Sequence, residues 1–561
     1  MQEDKNLSEI KVDGQHIIEN VELSFKEALI PVILLMVMLA YNIFFADGEA
    51  LGQYSNQFIL LIGGGIAAIV GFFNKVGIKT MLLEIWENLR SVFVPIMILF
   101  LVGALAGTWL VSGVIPAMVY YGLQVLNPSI FLPACVVIAA LISIATGSSW
   151  TTSATVGIAL IGIGEALGIN LGMVAGAVIS GAYFGDKMSP LSDTTNLAPA
   201  MAGTDLFTHI RYMSITTTPT IILTIIIFSI ISMNIDTTGN ADNEFLLQTI
   251  NSTFNITPWL FLVPLAVIGL ILFKTKPLIA LGTGVLLAIV FAFIFQPDVI
   301  NNISSSKTKT IVNSILTDTN IKVDDEKYFN NFEKDELELL KNNEYLVTLF
   351  NDDDLEKNFT QDELKQLFIS KTLDKTTLNS KVDNLNKLIT IKRLKKLFGS
   401  DGMNGMLWTI YLIICAMVFG GVMDAIGALA RITKALLKMA HTVFGLFAST
   451  VFSCLGLNVI ASDQYLAIVI PGKMFKNAFE DRGLAPENLS RTLEDSGTVT
   501  SVLIPWNTCG AYQSDVLDVD VSEYFMYAFF NWMSPFTTLL FAALNIKIKQ
   551  LTKSDTIVAS E

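Results

Sequence analysis

The chain has 561 residues, of which 52% are hydrophobic and only 15% are charged, whereas about 25% of the residues in a soluble protein are charged. Together with a mean hydropathy of +0.57, this composition excludes a water-soluble enzyme and predicts a polytopic membrane protein. The formal net charge of −14 leaves no basic surface that could neutralise nucleic-acid phosphates, so we expect no nucleic-acid partner.

Cysteine and histidine usage argues against a resident cofactor. The four cysteines lie in apolar surroundings without CxxC spacing, and the three histidines are widely separated. Neither pattern is typical of a disulfide framework, a zinc site or a His-ligated redox metal. We therefore expect small, membrane-buried cysteines, no cofactor and no enzyme activity, since no nucleophile and base pair is visible.

The chain begins with a polar segment, residues 1–27, which we expect in the cytoplasm. The first apolar run, Ala28 to Ala46, is of spanning length and has no cleavage site, so we expect a retained helix and no signal peptide. Further apolar runs, divided by Gly and Pro, fall into two transmembrane halves, 28–296 and 404–546. An all-α fold with about eleven to thirteen membrane passes follows from their lengths.

Positive charges in short loops predict the orientation of these passes. Lys and Arg occur in the segments at 75–90, 274–276 and 431–438 and in the tail 547–561, whereas the loops at 47–56 and 236–255 have none. Both termini are therefore expected in the cytoplasm. Two internal termini require an even number of passes, which favours twelve.

Residues 297–403 differ from the rest of the chain, because they hold 35 of its 86 charged residues. We predict an extramembrane insertion there, placed outside by the number of preceding passes. Leu and Phe spacing in 335–341 and 362–369 favours a small helical domain over full disorder. No catalytic or metal-binding spacing is present, and we assign this insertion no function.

Three ordered matches about 310 residues apart indicate an internal duplication. Residues 95–109 resemble Tyr411 to Met423, and Gly147-Ser-Ser149 resembles Gly456-Leu-Asn458. Pro190-Leu-Ser-Asp-Thr194 resembles Pro505-Trp-Asn-Thr508. Loop charges predict opposite orientations for the two halves, and inverted repeats with broken helices are typical of secondary transporters.

A polar run in the first half, residues 181–196, ends an apolar helix at Pro190. Proline breaks the helical hydrogen-bond ladder and leaves carbonyls in need of a partner. Sodium is a hard cation that suits oxygen ligands, by analogy with the rule for calcium and magnesium. The candidate ligands are Ser192, Asp193, Thr194 and Asn196. Asp186 is a candidate for substrate binding, although for Asp186 and Lys187 a solvated loop is an equal alternative.

The second half carries a counterpart, in which Asn507 and Thr508 follow Pro505 and would face the first cluster. Their alternative is a helix cap and turn. Glu494 and Asp495 would equally cap a helix N-terminus, where the helix dipole favours carboxylates.

Two further breaks supply candidate substrate-binding residues. The first is Ser149-Trp150-Thr151, although small hydroxyl residues also serve helix packing. In the second half Asn458 and Asp463 follow a comparable break, and an acid at such a depth often marks an ion or proton path. Asp424 is the weakest candidate and is expected at the membrane interface.

These segments resemble the NhaC family of Na⁺/H⁺ antiporters, within the larger ion-transporter superfamily. The resemblance is carried by residues 147–150, 154–164, 181–198 and 490–508, by Ser462-Asp-Gln-Tyr465 and by Pro471-Gly-Lys-Met474. It covers residues 25–545 apart from the insertion, and it implies a homodimer with an elevator-like motion. It also implies that relatives exchange Na⁺ for protons or move organic acids and amino acids.

We therefore predict a secondary active transporter of the cytoplasmic membrane that exchanges Na⁺ for H⁺. Burial favours the protonated form of a carboxylate and a bound cation favours the ionised form, so both ions would compete at one mid-membrane Asp. Asp193 is the first choice and Asp463 the second. The alternative is an exchanger of small organic acids, of the malate/lactate type, or of amino acids. An ion channel would need a continuous pore and no obligatory coupling.

Overall fold

The structure, a computed structural model, describes residues 7–12, 15–46, 50–125, 127–235, 243–273, 275–304, 306–321, 384, 387, 390–391, 394–395 and 398–551. Within these ranges helices dominate, and the strands form two short antiparallel pairs.

The described part of the first half contains fourteen α-helices. They are α1 (Phe25–Phe45), α2 (Ser55–Phe73), α3 (Ile78–Ser91), α4 (Phe93–Val111), α5 (Val114–Val125), α6 (Pro128–Thr146), α7 (Ser149–Thr152), α8 (Ile158–Ala166), α9 (Leu171–Met188), α10 (Asp193–Ala202), α11 (Leu206–Met233), α12 (Asn243–Thr253), α13 (Leu262–Leu272) and α14 (Pro277–Phe295). A π turn, Ser153–Gly157, joins α7 to α8, and a 3₁₀ turn, Pro258–Phe261, precedes α13.

Two shorter helices follow, and the second half then contains nine more. They are α15 (Pro297–Ile303), α16 (Lys307–Leu316), α17 (Gly402–Gly405), α18 (Leu407–Ala425), α19 (Ala428–Lys438), α20 (Val443–Ile460), α21 (Gln464–Glu480), α22 (Pro486–Leu493), α23 (Thr508–Leu517), α24 (Val521–Tyr524) and α25 (Phe529–Ala543). A π turn, Glu494–Thr498, continues α22, and a 3₁₀ turn, Ser501–Leu503, follows it.

Eight helical segments of the described chain are long and apolar enough to cross a membrane, and the bent pair Glu244–Thr253 and Pro258–Leu272 would make a ninth. The all-α polytopic membrane fold predicted from composition is thus confirmed. The eleven to thirteen passes predicted from sequence exceed this number. The difference lies in the helices beside the breaks, which are too short or too charged to qualify as spanning helices by themselves. Helix α9 ends in Asp186-Lys187, and α21 has 17 residues.

Local signals set several helix ends. Helix α1 begins at a capping box, in which the Glu27 amide donates to the Ser24 hydroxyl and the Ser24 amide donates to the Glu27 carboxylate. Helix α6 ends at Gly147, whose φ of 70° lies in the left-handed region. A Cβ there would lie 2.5 Å from the Leu191 Cβ. The glycine therefore permits both the turn and the contact between two breaks.

Helices α6 and α9 pack backbone against backbone. A Cβ added at Gly181 would lie 2.2 Å from the Val136 carbonyl oxygen, and one at Gly185 would lie 2.5 Å from that of Ala140. Small residues permit this close approach in membrane helices. The packing holds the C-terminal end of α9 beside the break that follows α6.

The two halves share one backbone plan at a constant separation of 315 residues. Positive φ values recur at Gly147 (70°) and Ser462 (58°), and at Gly203 (89°) and Asp518 (53°). Helix N-caps recur at the same separation in the pairs Asn127/Thr442, Ser148/Asp463, Ser192/Asn507 and Asp205/Asp520. The described helices thus support the predicted duplication, with α6 to α10 repeated as α20 to α23.

This register corrects one of the matches read from sequence. The break at Gly147 corresponds to Ser462, not to Gly456, because residues 456–458 lie inside α20. Asn458 therefore projects from a continuous helix. The match of Pro190 with Pro505 agrees with the common register.

The two ends of the charged insertion meet. Strand β3 (Thr319–Asn320) pairs antiparallel with β4 (Gly399–Ser400), and the Phe398 ring packs on that of Phe254, with centroids 4.9 Å apart. Helix α16 packs against α4, where Gly107 approaches the Ser314 carbonyl oxygen. The helices predicted at 335–341 and 362–369 lie outside the described residues.

The N-terminal segment forms a hairpin, β1 (Leu7–Val12) and β2 (Gln15–Asn20), in the register Leu7↔Asn20. Glu19 pairs with Lys434 at 3.0 Å, and Glu22 pairs with Lys75 at 2.8 Å. The hairpin and the residues just after it therefore lie beside two segments, at Lys75 and in α19, that the charge rule places in the cytoplasm.

Candidate functional site

Each repeat contains two helix breaks that touch each other. In the first repeat the turn at Gly147 contacts Leu191 and Ser192. In the second, the Thr508 amide donates to the Ser462 carbonyl at 3.0 Å. Helix N-termini at these breaks are capped by side chains of Ser148, Ser192, Asp463 and Asn507. Side-chain oxygens and helix N-termini therefore lie close together at the breaks of both repeats.

Asp186 lies at the C-terminal end of α9, and its carboxylate is buried. Its Oδ2 accepts hydrogen bonds from the amide and the hydroxyl of Ser149, at 3.1 and 2.7 Å. The Ser192 hydroxyl faces the same carboxylate. Asp186 therefore joins both breaks of the first repeat, which resolves the choice between a solvated loop and a buried position in favour of burial.

Asp193, the first choice from sequence, begins α10 with an exposed side chain. Its charge still acts on the Asp186 carboxylate. Thr194 is buried, and its hydroxyl lies 3.2 Å from that of Ser192. The side-chain oxygens at this break thus extend from the exposed surface of α10 to the interior. They belong to Asp193, Thr194, Ser192 and Asp186.

The carbonyls released by Pro190 have partners among the described side chains. Asn196 donates to the carbonyls of Pro190 (3.0 Å) and Ser192 (2.7 Å). The Thr195 hydroxyl approaches the carbonyls of Asp186 and Lys187 at 3.3 and 3.1 Å. Asn196 is therefore placed to hold the break closed with its amide nitrogen.

In the second repeat the amides bind backbone groups. Asn458 donates to the Gly497 carbonyl at 2.7 Å and to the Thr500 hydroxyl at 3.0 Å. Asn507 donates to the Asn458 carbonyl at 3.0 Å and accepts from the Cys509 amide at 3.0 Å. Asn507 therefore serves as a cap, and its described contacts lie within its own repeat.

Asp463 is buried at the start of α21. Its Oδ1 accepts from the amides of Tyr465 and Leu466 at 2.7 and 3.0 Å. The charges of Asp463, Asp193 and Asp186 all act on Tyr465. The charges of three acids named by the sequence, two from the first repeat and one from the second, thus act on one tyrosine.

The aromatic side chain of Trp150 crosses between the repeats. It stacks on Tyr512 with centroids 4.0 Å apart, and the Tyr512 hydroxyl donates to the Trp150 carbonyl at 3.1 Å. Thr151 donates to the Ser148 hydroxyl through its own hydroxyl at 3.1 Å. The three neighbouring residues thus have different partners. Ser149 binds the Asp186 carboxylate, Trp150 packs on the opposite repeat, and Thr151 binds the helix cap Ser148.

Among the described residues, no three acidic, His or Cys side chains are close enough to bind one metal together.

The sequence did not reveal an ion pair that joins the two repeats. The Lys187 ammonium contacts the Asp495 carboxylate, and both side chains are almost completely buried. Asp495 also accepts from the hydroxyls of Thr216, at 2.9 Å, and of Thr538. Asp495 does not take the alternative position at a helix N-cap, because it lies in the π turn that continues α22.

Two other expectations can be compared with the structure. All four cysteines are free and buried, as their apolar surroundings predict. Asp424, expected at the interface, is only 3% exposed at the end of α18, and the charges of Glu84 and Glu87 act on it. Packing of α3 on α18 covers this acid.

The chain matches a family model described as the Na⁺/H⁺ antiporter family, over residues 181–324 and 378–546. Three relatives illustrate the range of named activities. The Na⁺/H⁺ antiporter NhaC of Alkalihalophilus pseudofirmus is 33% identical, over 86% of this chain and 89% of that protein. The malate-2H⁺/Na⁺-lactate antiporter of Bacillus subtilis is 30% identical, over 85% and 86% respectively.

The arginine/ornithine antiporter ArcD of Halobacterium salinarum is 29% identical, over 92% of this chain and 91% of that protein. The family match confirms the resemblance read from the break motifs. The chain belongs to the Na⁺/H⁺ antiporter family.

Proposed function

We propose that this chain exchanges Na⁺ for H⁺ by competition of the two ions at the Asp186 carboxylate. The observation that carries the proposal is the position of this acid. It is buried at the end of a broken helix, with Ser149 donating to it at 2.7 Å and Ser192 facing it. Breaks of this kind are where secondary transporters bind their ions.

The chemistry follows from burial. An ionised carboxylate in a medium of low dielectric constant needs a positive partner, which either a proton or an alkali cation supplies. The hydroxyl oxygens of Ser149, Ser192 and Thr194 would complete the shell of a hard cation. When Na⁺ binds, the O–H bond of the protonated acid breaks, and the proton leaves.

Asp193 and Asp463 have supporting roles in this scheme. Asp193 is exposed and acts on the Asp186 charge, so it would attract cations toward the break. Asp463 is held by two backbone amides and would fix the start of α21. Competition at Asp193 or Asp463 themselves, the first and second choices from sequence, is tested by the same experiment.

We also propose that both termini lie in the cytoplasm, that the two repeats are inverted and that the chain forms a homodimer. The ion pairs of Glu19 with Lys434 and of Glu22 with Lys75 support the first point, since both lysines lie in segments predicted to be internal. In this arrangement the protein lies in the cytoplasmic membrane. The helix breaks, and with them the site, lie near the middle of the bilayer, as is typical of transporters with inverted repeats.

The test is Na⁺-driven proton movement in proteoliposomes, followed with a pH-sensitive dye. Asp186→Asn should abolish it, whereas Asp193→Asn should only lower the apparent affinity for Na⁺. Asp520→Asn is the matched control, because Asp520 is exposed in the second repeat. Full exchange by the Asp186 variant would contradict the proposal, and loss confined to Asp193→Asn or Asp463→Asn would move the site.

Exchange of small organic acids is the second candidate. It is favoured by two buried donors, the Trp150 indole N–H and the Tyr183 hydroxyl, which have no hydrogen-bond partner among the described residues. A substrate carboxylate could accept from both. Proton flux that requires malate or lactate, and does not respond to Na⁺ alone, would support this function over simple Na⁺/H⁺ exchange.

A further inference from the structure

The helix formed by α22 and its π turn is buried on all sides, although it carries several charges. Every residue from Glu487 to Thr498 is buried. A helix buried all round is normally apolar, and charged side chains inside a membrane protein usually mark ion or proton paths. This helix therefore calls for a role beyond packing.

Glu494 is the acid on this helix that lacks a partner at both oxygens. Its side chain is 0% exposed, and neither carboxylate oxygen has a hydrogen-bond partner among the described residues. Its neighbour Asp495, in contrast, is paired with Lys187 and two hydroxyls. An unpaired buried carboxylate is costly when ionised, so burial favours the protonated form of Glu494 while Lys187 stays with Asp495.

The surroundings of Glu494 supply the means to release that proton. The charged and titratable groups that act on it are Lys187 and Asp186 from α9, Asp495 from its own helix and Cys454 from α20. Lys187 is the cation among them. A shift of its ammonium from Asp495 toward Glu494 would stabilise the ionised form.

Polar side chains lead from Glu494 to the surface. Glu487 lies seven residues earlier, about 10 Å along the helix axis, and pairs with Lys549, whose side chain is 43% exposed. Between them the Ser490 hydroxyl lies 2.8 Å from the His209 ring nitrogen Nδ1. The helix formed by α22 and its π turn thus runs from Glu494 in the interior to an ion pair in which the lysine is exposed.

We propose that Glu494 relays the proton between the Asp186 site and the surface beside Lys549, the partner of the buried Glu487. The inference rests on the proposed function. When Na⁺ binds, the O–H bond at Asp186 breaks and a new O–H bond forms at Glu494, while the proton that Glu494 held is released to bulk water at the end of the helix where Lys549 is exposed. Only protons move, and the charge of Lys187 balances the ionised intermediate.

Two transport modes separate the relay from the cation site. Na⁺/H⁺ exchange needs the relay, whereas Na⁺/Na⁺ exchange, measured as counterflow of labelled Na⁺, needs no net proton transfer. Glu494→Gln should slow Na⁺/H⁺ exchange on the order of 100-fold, the size of effect typical for loss of a positioned proton-transfer group. Na⁺/Na⁺ exchange and thermal stabilisation by Na⁺ should stay unchanged. Glu480→Gln, at an exposed position of α21, is the matched control.

Na⁺/H⁺ exchange by Glu494→Gln within twofold of wild type would overturn the relay, and so would loss of Na⁺/Na⁺ exchange in a folded, Na⁺-stabilised variant. If Glu494→Gln does not fold, Glu494→Asp replaces it, with an expected shift of the pH profile of Na⁺/H⁺ exchange; an unshifted profile overturns the relay. Asp186→Asn should lose both modes. If it keeps both, the proposed function fails, whatever Glu494→Gln does.

Discussion

The buried pair of Lys187 and Asp495 makes a sharp prediction about stability. Both side chains are almost completely buried, at 0% and 1% exposure. Removal of one partner leaves an uncompensated charge where water cannot reach, which typically costs about 3–5 kcal/mol. We therefore expect Lys187→Met, and separately Asp495→Asn, to lower the free energy of unfolding by about this amount.

The double variant distinguishes this electrostatic cost from lost packing. With both charges removed no ion remains unpaired, so Lys187→Met with Asp495→Asn should be more stable than either single variant. The hydroxyls of Thr216 and Thr538 can still bond to the new amide. Denaturant titration in detergent micelles, followed by tryptophan fluorescence, gives the four free energies.

A surface pair provides the matched control. Lys75 and Glu22 form an ion pair at 2.8 Å, but their side chains are 67% and 37% exposed. Lys75→Met should therefore cost no more than about 1 kcal/mol. If Lys187→Met costs as little as Lys75→Met, or if the effects of the two buried variants simply add, the reasoning from burial is refuted.

Two further predictions concern packing and helix capping. Gly107→Ala should lower the free energy of unfolding by about 1–3 kcal/mol, because its Cβ would lie 1.9 Å from the Ser314 carbonyl oxygen. A Cβ at Gly65 would have nothing within 4 Å, so Gly65→Ala should be neutral or slightly stabilising. Equal effects of the two substitutions in the same denaturant titration would contradict this. Hydrogen bonds from Thr208 hold the pKa of Asp205 below its usual value at the start of α11, so the cap stabilises the ionised state. Asp205→Ala should cost about 1 kcal/mol at pH 7, and this difference should shrink as the pH falls below about 4; a difference that does not change with pH would show that the charge is not involved.

The candidate site was only partly predictable from sequence. Proline and glycine are local signals, so the breaks at Pro190 and Pro505 could be located from the order of residues alone. Which of Asp186 and Asp193 is buried could not be predicted in this way. The two acids are seven residues apart on either side of a helix break, and the path of the chain through the break buries Asp186 and leaves Asp193 exposed. The match of Gly147 to Gly456 failed for a related reason, since sequence similarity at a glycine does not show where a helix stops.

Composition and apolar run length by themselves determined that this is an all-helical membrane protein, because a hydrocarbon core accepts only segments that satisfy their own backbone hydrogen bonds. The motifs at the breaks identified its family. Tertiary structure alone decided which charges meet: Lys187 and Asp495 are 308 residues apart, and Glu494 is left unpaired beside them. Such pairing depends on how the two repeats pack, and the interaction of two charges falls off with their distance in space, not with their separation along the chain.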